Sequence, residues 1–187
     1  MPPTESKRAR LTAAARDLIH AMGYAQTTLA DIARAADVPL GNVYYYYKTK
    51  DALAQAVIDT RAEEFKQLTQ ELDRLSDPRA RIEGYLSMLV LDSEAIARHG
   101  CPIGGLCTEL NKSDSPLAKP ANALLRSQLD WLTRQFQQMG KAEEAAELAL
   151  QLLMQLQGAS VLTQAFKDAT LFTRQVANSK LWLQTLT

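Results

Sequence analysis

Cysteine is nearly absent: Cys101 and Cys107 are the only two, too few for a disulfide framework and without the paired spacing of a metal site. That scarcity fits a reduced compartment. Histidine is as scarce, with His20 and His99 alone, and no nucleophile motif such as G-x-S-x-G occurs. The chain therefore offers little for acid–base or nucleophilic chemistry, and neither an enzyme nor a cofactor is expected. No apolar run comes near the ~20 residues of a membrane span, and the opening "MPPTESKRAR" lacks the apolar core of a signal peptide. A cytoplasmic protein without a membrane partner is the expectation. Net charge is absent too, with 21 Lys or Arg against 21 Asp or Glu, well short of the strongly basic footprint of many nucleic-acid binders.

What is present is a globular composition, 47% hydrophobic and 22% charged, long enough for one or two cores. Charge is also uneven. Residues 1–50 hold seven Lys or Arg against four acids, and the remainder 14 against 17. The N-terminal part is mildly basic.

Nearly every segment repeats with helical period, and no strand or internal repeat is evident, so the fold class is all-α with about nine helices. Leu11, Ala15, Leu18 and Met22 form a first stripe, from about Thr4 to a stop at Gly23. Thr28 caps a second helix carrying Leu29, Ile32, Ala33 and Ala36, and a short third runs from about Leu40 to Tyr46. Two short helices across a tight turn predict helix-turn-helix. Thr49 caps a long fourth helix, and Pro78 opens a fifth. A break at "RHGCPIGG" precedes a short piece, "LCTELNK". Three more helices follow, the last two spanning about 142–167 and 171–185.

Only 6% of residues are aromatic, yet Tyr44, Tyr45, Tyr46 and Tyr47 stand in a row. Successive helical side chains are about 100° apart, so four adjacent rings cannot share one buried face. Val43 and Tyr47, four apart, belong to the core. The opposite side then shows Leu40, Gly41, Tyr44 and Tyr45, which is the shape of a major-groove reader. Asn42 can bond an adenine edge or a phosphate, the hydroxyls of Tyr45 and Tyr46 can donate to phosphates, and Leu40 or Tyr44 can pack on a thymine methyl. Lys50 adds positive charge beside backbone amides that also favour phosphate.

From Arg10 to Val57 the pattern "GY..TTL.DIA.AA.V", an aromatic-ended third helix and then "K.K.AL" resembles the N-terminal DNA-binding domain of the tetracycline-repressor (TetR) family. Three positions depart from that pattern: Asp37 where glycine is usual in the turn, Pro39 in place of a frequent Ser cap, and Leu40 where the family is often polar or basic. The resemblance implies a DNA-binding domain over 1–49 and a helical ligand-binding and dimerisation domain over 50–187. It implies phosphate contacts from Thr28, Tyr45, Tyr46 and Lys50, and base contacts from Leu40, Gly41, Asn42 and Tyr44. The expected protein is a ligand-responsive regulator, by family habit a repressor. It would bind a palindromic double-stranded DNA operator as a homodimer through the helices about 142–167 and 171–185, and a small effector would release it.

Apolar residues among the fifth to eighth helices, with Tyr85, Met88, Trp131 and Phe166 as lining, are the expected effector pocket. Cys101 and Cys107, near His99, allow an alternative trigger in which a thiol of lowered pKa senses oxidants or electrophiles; a buried, inert thiol is the competing reading. Lys7, Arg8 and Arg10 can form an arm towards the minor groove or simply a solvated helix start.

Overall fold

The computed structural model describes residues 6–186, and Thr4, where the sequence places the first helix start, lies outside them. Among the described residues the chain forms ten helices: α1 Lys7–Met22, α2 Leu29–Ala35, α3 Leu40–Tyr46, α4 Lys50–Leu72, α5 Pro78–Val90, α6 Ser93–His99, α7 Pro102–Lys112, α8 Ala118–Gln138, α9 Ala145–Phe166 and α10 Ala169–Thr185. The all-α expectation holds. The helix beyond the expected nine is α6, because the chain turns at Leu91 and Asp92 before Ser93. The expected break at "RHGCPIGG" is also narrower than it reads. Pro102 sits in the first turn of α7, where it needs no intrahelical N–H, so only Gly100 and Cys101 stay outside a helix. Gly104 lies inside α7, where a Cβ would come within 2.4 Å of Gln157 Oε1 on α9.

The starts are capped as the sequence indicates. Thr28 accepts from the Asp31 amide at α2, Thr49 Oγ1 accepts from the Ala52 amide at α4, and Asp77 caps α5 ahead of Pro78. The ends are less regular in sequence than in geometry. Asp37, Asp114, Gly140 and Lys167 all have positive φ, between 48° and 83°, and each anchors the same pair of bonds. After α2 these run from the Val38 amide to Ala33 O and from the Asp37 amide to Arg34 O. This is the Schellman arrangement, which satisfies carbonyls that a helix end leaves open. Aspartate at position 37 thus adopts the conformation for which glycine is usual.

Two compact units result, neither contiguous in sequence. Of the described residues, 6–62 and 105–122 form the first; 63–104 and 123–186 form the second. In the first, α1 packs on α2 and α2 on α3, with Leu11, Ala15, Ile32, Val43, Tyr47, Leu53 and Val57 buried. In the second, α9 packs on α6 and α10, and α10 on α5 and α6, around Ile82, Leu86, Trp131, Leu132, Phe136, Leu152 and Phe172.

Candidate nucleic-acid interface

The tyrosine run divides as helical geometry requires. Val43 and Tyr47 are buried, whereas Leu40, Gly41, Tyr44 and Tyr45 are exposed, Tyr45 at 78%. Asn42 and Tyr46 lie between these extremes. Tyr45 and Tyr46 meet edge to face, with centroids 5.0 Å apart, which limits the directions their hydroxyls can take. Tyr47 faces inward. Its hydroxyl lies 2.7 Å from Thr12 Oγ1 and accepts from Arg8 Nε at 3.3 Å, while the Arg8 guanidinium stands 5.5 Å from the ring centroid. The last ring of the run therefore ties the end of α3 to α1. Arg10 Nη1 lies 3.7 Å from Asp37 Oδ2 in the turn, so two of the three expected arm cations face their own chain.

At the start of α2, Thr28 Oγ1 donates to Asp31 Oδ2 at 2.6 Å and accepts from the Asp31 amide at 3.1 Å, and the Thr28 amide donates to the same carboxylate at 3.3 Å. This is a reciprocal capping box. The Thr28 hydroxyl bond, more than the Arg34 ion pair beside it, holds the Asp31 carboxyl below the usual carboxylate range. A phosphate taking the Thr28 hydroxyl proton would have to displace Asp31. The sequence carried a signal for Asp31, an acid three residues after the cap, which the reading of Thr28 alone passed over.

Lys50, expected at a phosphate, is already engaged. Its Nζ donates to Tyr24 O at 2.9 Å and Ala25 O at 3.2 Å, and sits 4.3 Å from the Tyr24 ring centroid. An ammonium has three N–H donors, so one remains. The Tyr24 hydroxyl donates to Asp51, and burial together with that bond raises the Tyr24 pKa. From the other side, Glu109 of α7 accepts from the Tyr24 amide through Oε2 and from the Ala25 amide through Oε1, both at 2.7 Å. Tyr24, Asp51 and Glu109 escaped the sequence reading, Glu109 because 85 residues separate it from Tyr24 and no local pattern marks it.

In the second unit the expected effector residues part company. Tyr85 and Trp131 are buried with centroids 5.6 Å apart, and Phe65 meets both edge to face at 6.2 and 6.5 Å. Met88 and Phe166 are not with them. They lie on the surface, 46% and 68% exposed. Phe65 is the ring that the expectation omitted. Burial raises the Tyr85 pKa, with the Cys101 thiol a lesser cause.

The two cysteines are both free thiols. Cys107 is buried and donates through Sγ to Ala121 O at 3.3 Å, while Cys101 Sγ accepts from the Gly104 amide at 3.3 Å. Cys107 thus serves helix packing, the inert reading. Among the described residues no three His, Cys, Asp or Glu converge as a metal site, and no helix is long and apolar enough to cross a membrane.

Residues 11–57 match the model of bacterial regulatory proteins of the tetR family, and residues 79–178 match that of the C-terminal domain of LmrA/YxaF-like transcriptional regulators. An uncharacterised HTH-type transcriptional regulator of Lactococcus lactis is 30% identical over 62% of this chain and 60% of its own length. The HTH-type regulator TtgR of Pseudomonas putida is 32% identical over 52% of this chain and 51% of its own. The chain thus spans between about half and three fifths of the length of these curated relatives. In fold it is similar to a TetR transcriptional regulator from Legionella pneumophila, with a TM-score of 0.84, 19% identity and 98% of each chain covered. The helix-turn-helix unit at the N-terminus and the matched C-terminal region together make the chain a member of the TetR family of transcriptional regulators, a non-enzymatic DNA-binding family.

Proposed function

We propose that this protein is a cytoplasmic repressor that binds a palindromic operator as a homodimer and is released by a small effector. The carrying observation is the outward face of α3, where Leu40, Gly41, Tyr44 and Tyr45 are exposed while Val43 and Tyr47 are buried. On this reading Leu40, Gly41, Asn42 and Tyr44 face base edges, and Tyr45, Tyr46, Thr28 and the spare N–H of Lys50 meet phosphates. Residues 1–49 are the reading domain and 50–187 the effector and dimerisation domain.

The homodimer reading is supported by an apolar face left uncovered on the last two helices. Leu150, Met154, Val161, Leu162 and Phe166 of α9 and Leu181 of α10 are all exposed. On the same two helices Leu152, Leu153, Leu156, Phe172, Val176 and Leu183 are buried within one chain. Two reading heads must sit roughly 34 Å apart, one helical turn of DNA, to engage one face of the duplex. An effector that binds preferentially a form with another spacing would release both.

Fluorescence anisotropy on a duplex enriched by the protein from a randomised pool, with excess nonspecific competitor, tests this reading. Binding should saturate at two or more chains per site and weaken with salt. Tyr44→Ala should cost about 1–3 kcal/mol of operator affinity while the circular-dichroism spectrum stays helical. Unaltered binding by this variant would remove Tyr44 from the interface.

A further inference from the structure

The peptide segment between α1 and α2 is gripped from two sides by opposite charges. Glu109 accepts the amides of Tyr24 and Ala25, both at 2.7 Å, and Lys50 donates to the carbonyls of the same two residues at 2.9 and 3.2 Å. Gly23 leaves room for the grip: its φ is +87°, and a Cβ there would lie 3.0 Å from Glu109 Oε2. Glu109 is itself held on a braced hairpin. The side-chain amides of Asn111 on α7 and Asn122 on α8 bond reciprocally at 2.8 and 3.1 Å, Asn111 also donates to Cys107 O at 2.7 Å, and the Cys107 thiol donates to Ala121 O.

We propose that Glu109 is a positioning residue for operator binding, acting through the Tyr24–Ala25 segment to hold the Lys50 ammonium where its remaining N–H meets a backbone phosphate. This rests on the reading of residues 1–49 as an operator-binding head. The two carboxylate oxygens fix the two amides; the Ala25 amide shares one planar peptide unit with the Tyr24 carbonyl and so sets that carbonyl's direction, and the carbonyl holds Nζ. Without Glu109 the segment keeps its attachment to Lys50 but loses the restraint that sets where the pair sits.

The sign of the effect separates this role from a bland one. A carboxylate that merely decorated a surface near DNA would repel phosphate, so its removal would strengthen binding or leave it unchanged. The experiment measures operator affinity against salt for the unaltered chain, Glu109→Ala, Glu109→Gln and Lys50→Ala on the enriched duplex. It is paired with the 1H–15N spectrum of the Tyr24 and Ala25 amides. Glu109→Ala should weaken operator binding roughly tenfold. It should lower the salt slope by about one, as Lys50→Ala does, although it removes no cation. The two amides should move upfield as they lose the carboxylate. Glu109→Gln keeps the size of the side chain but only one oxygen acceptor, so it should fall between and serves if the alanine variant fails to fold. Unchanged or tighter binding with an unchanged slope overturns the proposal. If the unaltered chain shows no binding above competitor, the operator reading itself falls and this role with it.

Discussion

Single residues in the reading head serve two purposes at once. Tyr47 ends the aromatic run and also ties α3 to Thr12 and Arg8; Thr28 caps α2 and stands where a phosphate contact is proposed. The core side of this pattern was legible, because Val43 and Tyr47 fall four apart on one helical face and both are buried. The Glu109 grip was not, since a contact between residues 85 apart leaves no periodicity to read. The capping box offers a test with a definite sign. Its folded-state carboxyl pKa lies below the unfolded value, so Asp31 contributes stability that is present above the ordinary carboxylate pKa of about 4 and lost as pH falls through the lower folded value. Asp31→Asn should therefore flatten the acid side of the Tm-against-pH curve and change little near neutrality beyond a constant offset. A curve parallel to that of the unaltered chain between about pH 5 and pH 2 would show that Asp31 titrates alike in both states.

Whole elements show where sequence pattern and packing diverge. Helix α9 is apolar nearly all round. The pattern signals burial on more than one side but does not say which side meets its own chain. Folding settles that: Ala149, Leu152, Leu153 and Leu156 turn inward, leaving Leu150, Met154, Val161 and Phe166 outside. Replacing both Met154 and Val161 by Glu should abolish the proposed dimer, giving a monomer mass in sedimentation equilibrium with unchanged helical content, since neither side chain is buried within the chain. A persisting dimer mass would move the interface elsewhere. Helix ends diverge in a similar way. Glycine marks only one of the four Schellman turns, at Gly140, and the others use Asp37, Asp114 and Lys167. Aspartate enters the left-handed region more readily than most residues, but lysine carries no such signal.

At the scale of the whole molecule, the compact units cut across chain order. Residues 105–122 join residues 6–62, while 63–104 pack with 123–186. Both tryptophans, Trp131 and Trp182, lie in the second unit, so their fluorescence reports its unfolding specifically. Phe136 is fully buried there, with its ring centroid 6.0 Å from that of Trp182. Phe136→Ala should destabilise this unit by about 3–5 kcal/mol, read as a lower urea midpoint by tryptophan fluorescence at an unchanged slope. A loss below about 1 kcal/mol would mean that the site collapses to fill the space.

The sequence by itself determined the all-helical class, the cap at Thr28, the aromatic helix with its inward and outward sides, and the resemblance that the family matches bear out. These are local or periodic properties, written in neighbours three and four apart. Tertiary structure alone decided that Glu109 and Lys50 grip one peptide segment, that Phe65 joins Tyr85 and Trp131 while Met88 and Phe166 do not, and which face of α9 stays bare. Each depends on residues far apart in the chain being brought together, and side-chain spacing holds no record of which distant partner a helix face will meet.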